Sequence, residues 1–268
     1  MPSTAIEQNQ RLLHLPLLTL SFVFILLGLG LSQLPFNREW MLSLNHLTPG
    51  WDALWSFLTQ FGEAGAALLL LLVFTRFSRN GTALALKVYV LGSLLSPVLK
   101  SFFASPRPLS QFETGVLNVI GQAPSGANSM PSGHSMTVVA AVAVFMVCFS
   151  LKDKKLLAAL LCVFAALVAV SRIMVAAHWP ADVLAGAGLG LLVTWLAIQW
   201  ERRQAWQYQL EKRMAQWSLL ITEIGLTVYL LSASTATSAE RWAFDLIATV
   251  GVAGVLSRMN YIRQHAWH

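Results

Sequence analysis

Long apolar runs alternate with short polar breaks along most of the chain. They cover residues 12–32, 51–77, 82–103, 132–151, 156–177, 180–200, 215–232 and 242–256. About 20 apolar residues cross a bilayer as a helix, whereas a transmembrane strand needs about half as many. The first six runs therefore predict membrane helices. The last two are shorter and carry Glu223 and Asp245, but they read as spans as well. The expected fold class is an all-α polytopic transmembrane bundle, a six-helix core with two further C-terminal helices. Run 51–77 is expected to be one helix, with Trp51 and Trp55 at an interface and Glu63 nearer its first end. The segment 35–49 is mixed, with Trp40 and His46 in it.

The run at 12–32 exceeds a signal peptide's apolar core of about 7–15 residues, so it reads as an uncleaved first helix. The expected organisation is a first span and outer loop (1–50), a core (51–200), then a basic stretch with two spans (201–268).

Composition agrees with a membrane protein: 56% of the 268 residues are hydrophobic and 11% charged, against about 25% charged in a soluble domain. The net charge of +6 is scattered between the runs and forms no basic stripe, which argues against nucleic acid. It reads instead as topology. Arg76, Arg79, Lys152, Lys154, Lys155, Arg202, Arg203, Lys212, Arg213, Arg258 and Arg263 fall in alternate breaks, on the side of the amino terminus. The other breaks hold Arg38, Arg107, Arg172 and Arg241. By the positive-inside rule both termini are cytoplasmic.

Cys148 and Cys162 lie inside apolar runs with no metal-ligand spacing and read as small hydrophobes. Lys87 reads as a snorkelling lysine. His14, His46, His265 and His268 read as interfacial or hydrogen-bonded residues. Glu63 reads as a hydrogen-bonded helix residue, with a place at a site's mouth as the alternative. Residues 104–131 form a loop rich in Pro, Gly, Ser and Asn; it is either a surface connection or a lid carrying Phe112 and Ile120.

Three polar stretches interrupt the apolar background: KSFFASPRP (Lys100 to Pro108), PSGH (Pro131 to His134) and SRIMVAAHWPAD (Ser171 to Asp182). Ionisable groups at the edge of membrane spans suggest function by default. The alternation of spans places all three on the non-cytoplasmic side. Lys100, Arg107 and Arg172 form a cationic set with no matching run of acids, which implies a shared anion, and the guanidinium fork suits phosphate oxygens. PSGH opens a helix, whose first N–H groups at Gly133 and His134 favour an anion. Gly133 permits close approach. Asp182 follows His178 by four residues and can orient its imidazole, leaving the other nitrogen to attack phosphorus. His134 can then handle the leaving-group proton.

The pattern K-x6-R-P, P-S-G-H and S-R-x5-H-x3-D resembles the type 2 phosphatidic acid phosphatase superfamily. The resemblance implies that His178 is the nucleophile, Asp182 its orienting carboxylate and His134 the general acid. It also implies that Lys100, Arg107, Ser132, Gly133 and Arg172 hold the phosphate, with no metal or other cofactor. The expected activity is removal of phosphate from a lipid phosphate or diphosphate in a bacterial-type cytoplasmic membrane. Candidate substrates are undecaprenyl diphosphate, phosphatidylglycerophosphate, phosphatidic acid and lipid A. The alternatives are a phosphotransferase using the same residues and an anion-binding transporter without chemistry.

Overall fold

The computed structural model describes residues 5–78, 80–124, 126–149 and 154–264, with side chains from His14 onward. Arg79, Lys152, Asp153, His265 and His268 lie outside the described residues. The helices are α1 (Ala5–Ser32), α2 (Phe36–Asn45), α3 (Asp52–Thr59), α4 (Ala64–Thr75), α5 (Gly81–Phe103), α6 (Gly133–Cys148), α7 (Lys155–Met174), α8 (Pro180–Arg203), α9 (Gln207–Leu210), α10 (Arg213–Ser232) and α11 (Ser238–Gln264). Among them, α1, α5, α7, α8, α10 and α11 are long and apolar enough to cross a membrane. The protein is a multi-pass membrane protein.

The expected single helix over 51–77 is broken. A 3₁₀ turn at Gln60–Gly62 separates α3 from α4, and their axes differ by 65°. The local cause is legible in Gly62-Glu63. Glu63 leaves the helical region at ψ 136° and its carboxylate caps α4 by accepting the Ala66 N–H at 2.7 Å. An N-cap of this kind satisfies a donor that a new helix start would otherwise leave bare. Residues 35–49, read as mixed, include the helix α2. The last span also extends well past the expected 242–256, since α11 has 27 residues.

The most enclosed span is α8, and small residues explain why. A Cβ on Gly186 would lie 2.4 Å from the Ser132 carbonyl oxygen, and one on Gly190 2.5 Å from that of Met136, so α6 rides directly on the α8 backbone. On its other side a Cβ at Gly188 would meet the Ser21 oxygen of α1 at 2.7 Å. Small residues let helix backbones approach within a membrane, where packing replaces the hydrophobic driving force.

Two buried ion pairs lie away from the three polar stretches. Lys87 does not snorkel: it is fully buried, donates to Glu201 at 2.5 Å and to the Gln204 carbonyl at 2.6 Å, and lies over the rings of Trp200 and Trp206. Glu201, brought to it by α8, provides the charge that makes burial tolerable. Between α10 and α11, Arg258 binds Glu223 through two contacts, 2.9 Å from Nε and 2.6 Å from Nη2. Both partners are buried, so the acid that makes this run look weakly membrane-like is neutralised by its neighbour. Cys148 is buried and Cys162 exposed, with neither in a disulfide.

Candidate active site

The three polar stretches meet at one end of the bundle. Lys100 comes from the last turn of α5, which ends on Ala104 in the left-handed region at φ 44°. The chain then turns through Arg107. Its Nε donates to the Gly126 carbonyl at 2.8 Å and its Nη1 to the Ala177 carbonyl at 2.9 Å, which ties the 104–131 loop to the turn carrying His178. Burial lowers the pKa of Arg107, and the nearby Asp182 carboxylate opposes that shift.

Several contacts staple the loop. Ser129 N–H donates to the Ser105 carbonyl at 2.7 Å, Trp179 Nε1 to the Pro106 carbonyl at 2.8 Å, and Arg38 to the Gln111 carbonyl at 3.1 Å. Phe112 packs beneath Arg38 and against Trp179. Ile120 is buried with Trp55 and Met174. These contacts hold Ser105, Pro106, Gln111, Phe112, Ile120 and Ser129 of the loop against the helices around the site.

At the end of α7 the chain turns through Ala176, a non-glycine residue at φ 60°. A left-handed alanine costs about 1–2 kcal/mol. The turn holds because the N–H groups of Ala177 and His178 both donate to the Arg172 carbonyl, at 3.0 and 3.1 Å. Arg172 is buried at the same level. Its Nη1 donates to the Thr59 hydroxyl at the end of α3, while its buried Nε has no acceptor among the described residues. An unpaired guanidinium donor in a protein interior is a place for an acceptor oxygen.

His178 is 2% exposed, with Nδ1 3.4 Å from Asp182 Oδ2 and 3.3 Å from Ser129 Oγ. The Ser129 hydroxyl donates to the same carboxylate oxygen at 2.5 Å, and the Trp179 N–H donates to it at 2.9 Å. Asp182 is thereby fixed on one ring nitrogen of His178, leaving Nε2 for other partners. Ser129 was missed in the sequence because a lone serine in a polar loop carries no signal. Its role follows from a loop-to-helix contact.

Ser132 is the N-cap of α6. Its hydroxyl accepts the Ser135 N–H at 3.4 Å and the Ser135 hydroxyl at 3.0 Å. Its own N–H donates to the Asp182 carbonyl at 3.0 Å, joining the second stretch to the third. His134 belongs to the same charge cluster as Arg172, His178, Lys100 and Arg107. The bend between α3 and α4 positions it, because a Cβ on Gly62 would fall 2.8 Å from the His134 Cβ.

Gly133 is different from the packed glycines. A Cβ there would meet only Ser96 Oγ at 3.7 Å, so nothing in the protein requires glycine at that position. A ligand approaching the first N–H groups of α6 would require it. Gly133→Ala is expected to keep its melting temperature to within about 2 °C and to lose at least about tenfold in kcat/KM. Thermal unfolding in detergent and an activity assay on the same preparation check both halves.

Two cavities flank His134. One, of about 360 Å³, is mostly apolar and runs between α4, α5 and α6 past Leu68, Leu71, Val88 and Ala140. Glu63 lines it and caps α4, so its carboxylate is hydrogen-bonded at a helix start. The other, of about 410 Å³, is lined by polar side chains including Thr59, Gln60, Gln122 and Arg172. All eight residues singled out in the sequence thus come to one end of the bundle: Lys100, Arg107, Ser132, Gly133, His134, Arg172, His178 and Asp182.

Residues 81–206 match the PAP2 superfamily. The chain is 31% identical over 194 residues to an undecaprenyl-diphosphatase of Sulfolobus acidocaldarius, covering 71% of this chain and 90% of that protein. It is 34% identical over 119 residues to phosphatidylglycerophosphatase B of Bacillus subtilis, covering 42% of this chain and 54% of that protein. The crystal structure of a transmembrane PAP2-type phosphatidylglycerolphosphate phosphatase from Bacillus subtilis superposes with a TM-score of 0.53 at 23% identity, over 69% of this chain and 95% of that one, and so shares the fold. With one relative matched over nine-tenths of its length, the chain belongs to the PAP2 superfamily.

Proposed function

We propose that the protein is a lipid phosphatase that cleaves a phosphate monoester or diphosphate of a membrane lipid through a phosphohistidine on His178. The observation that carries this reading is the convergence of a carboxylate-held imidazole with Lys100, Arg107 and Arg172 at the N-terminus of α6. Phosphate oxygens bind the three cations and the first N–H groups of α6. His178 Nε2 forms a bond to phosphorus as the bond from phosphorus to the leaving oxygen breaks. His134 gives its proton to that oxygen. Water then attacks phosphorus, the phosphorus–nitrogen bond breaks, and His134 takes the proton from the water. Asp182 and Ser129 hold the Nδ1 side of His178 throughout.

The hydrocarbon chains lie in the apolar cavity beside His134, entering sideways from the bilayer. The cytoplasmic side is that of the basic breaks, so the site faces the outer side of a cytoplasmic membrane, with both termini inside. The chemistry needs no metal. Purified protein assayed for phosphate release from undecaprenyl diphosphate, phosphatidylglycerophosphate, phosphatidic acid and lipid A should hydrolyse at least one of them, with turnover unchanged by a strong chelator. Binding of one of these lipids with no phosphate released from any would overturn the reading in favour of a carrier.

The acid limb of the pH profile carries a further expectation. His178 attacks in its neutral form. Burial, then the charges of Arg172, Arg107 and Lys100, hold its pKa well below 6.5, so the ring stays neutral as pH falls through that value. The acid-side midpoint of kcat/KM for the free enzyme is therefore expected below pH 6.5. A midpoint above it, measured with a substrate whose phosphate does not titrate there, would contradict the assignment.

A further inference from the structure

A cavity of about 290 Å³ lies between the end of α4, the start of α5 and the helices α9, α10 and α11. Its lining includes Arg76, Thr82, Gln216, Ser257, Arg258 and Tyr261. Thr82 and Lys100 stand near opposite ends of α5, about 27 Å apart along the axis at about 1.5 Å per residue. The cavity is thus separate from the site around His178 and lies on the side proposed above to be cytoplasmic. More than half of its wall comes from beyond residue 206, where the match to the superfamily ends.

Two arginines face this space. Arg76 donates from Nη1 to the Gly254 carbonyl at 2.8 Å, its buried Nε has no acceptor, and it takes part in no ion pair among the described residues. Arg258 is buried, and Glu223 and Gln216 take three of its N–H groups, where a guanidinium offers five. Burial lowers the pKa of Arg76; Glu223 opposes that shift and Arg258 adds to it. An anion between the two guanidiniums would offset both the burial and the repulsion. Glu211 is the carboxylate in the lining; it is exposed, and the exposed Lys212 and Arg213 follow it. We infer that the cavity is a second anion site, which takes a phosphate group from an anionic phospholipid headgroup or a free phosphate ion and so fastens the α10–α11 hairpin to α4 and α5. The guanidinium fork suits phosphate oxygens. Phe77 and Tyr261 line the same cavity and are exposed, as aromatic side chains are at the membrane–water interface, the depth at which a lipid carries its phosphate.

The test counts bound ligand on the purified full-length protein in detergent, by native mass spectrometry with dioleoyl phosphatidylglycerol and by equilibrium dialysis with labelled inorganic phosphate. Ser257 is exposed at the rim of the cavity, so Ser257→Trp fills it without entering the core, and Arg76→Gln removes a charge. Both variants are expected to hold one ligand fewer than the wild type. Asn260→Trp, at an exposed position of α11 outside the lining, should match the wild type. Any ligand held beside His178 is common to all four proteins and cancels. A loss seen with phosphatidylglycerol alone assigns the site to a lipid headgroup, and a loss seen with inorganic phosphate assigns it to the free ion. Dioleoylglycerol, with the same chains and no phosphate, should bind all four proteins equally. Undiminished counts of both ligands in Ser257→Trp or in Arg76→Gln, the same loss in Asn260→Trp, or an equal loss of dioleoylglycerol would overturn the inference.

Discussion

His178→Ala is expected to lower turnover by at least about four orders of magnitude, because it removes the atom that bonds to phosphorus. The protein should remain folded. His178 sits in a turn fixed by backbone contacts to the Arg172 carbonyl and by the Arg107 bond to Ala177, none of which uses the imidazole. The melting temperature then separates lost chemistry from lost structure. Asp182→Asn should fall between His178→Ala and the wild type. It keeps an oxygen to accept the Trp179 N–H but weakens the hold on Nδ1 that sets the ring's tautomer. An alanine variant with near-wild-type turnover would remove His178 from the reaction.

The second large effect is on stability and lies far from the site. Arg258 and Glu223 form a two-contact ion pair, both side chains buried between α10 and α11, with Arg258 also donating to Gln216 at 2.7 Å. Removing one partner of a buried pair leaves an uncompensated charge and costs about 3–5 kcal/mol. At about 2–4 °C for each kcal/mol in a chain of this size, Arg258→Leu should lower the melting temperature by about 10 °C. The double replacement Glu223→Leu with Arg258→Leu should recover most of that loss, since two apolar groups of similar volume replace the pair. Thermal unfolding of the single and double variants in one detergent checks both, and a double variant less stable than either single would show that the pair adds net stability.

The helical architecture and the candidate site were readable for the same reason. In a chain that is mostly apolar, each ionisable residue stands out, and Lys100, Arg107, Arg172, His178 and Asp182 fall at the ends of spans where they can meet. PSGH was legible because a serine followed by glycine at the start of an apolar run is a helix start with free N–H groups. The bend at Gly62-Glu63 was written locally as a helix stop and a new cap, but the long apolar run on each side masked it. Lys87 was misread because its partner Glu201 is 114 positions away, and no window along the chain brings them together. Ser129 is tertiary in the same sense: its contribution arises from its contact with Asp182, which only the packed bundle supplies.

The central claim is that phosphorus becomes bonded to His178. His134→Ala, which lacks the group that takes the proton from the attacking water, should accumulate the phosphohistidine when mixed with a lipid phosphate bearing a good leaving group. Rapid quench in base followed by peptide mass analysis is expected to find an acid-labile phosphoryl group on the peptide containing His178. The same treatment of the His134→Ala and His178→Ala double variant should find none. Phosphate on any other residue, or an equal yield from the double variant, would contradict the account.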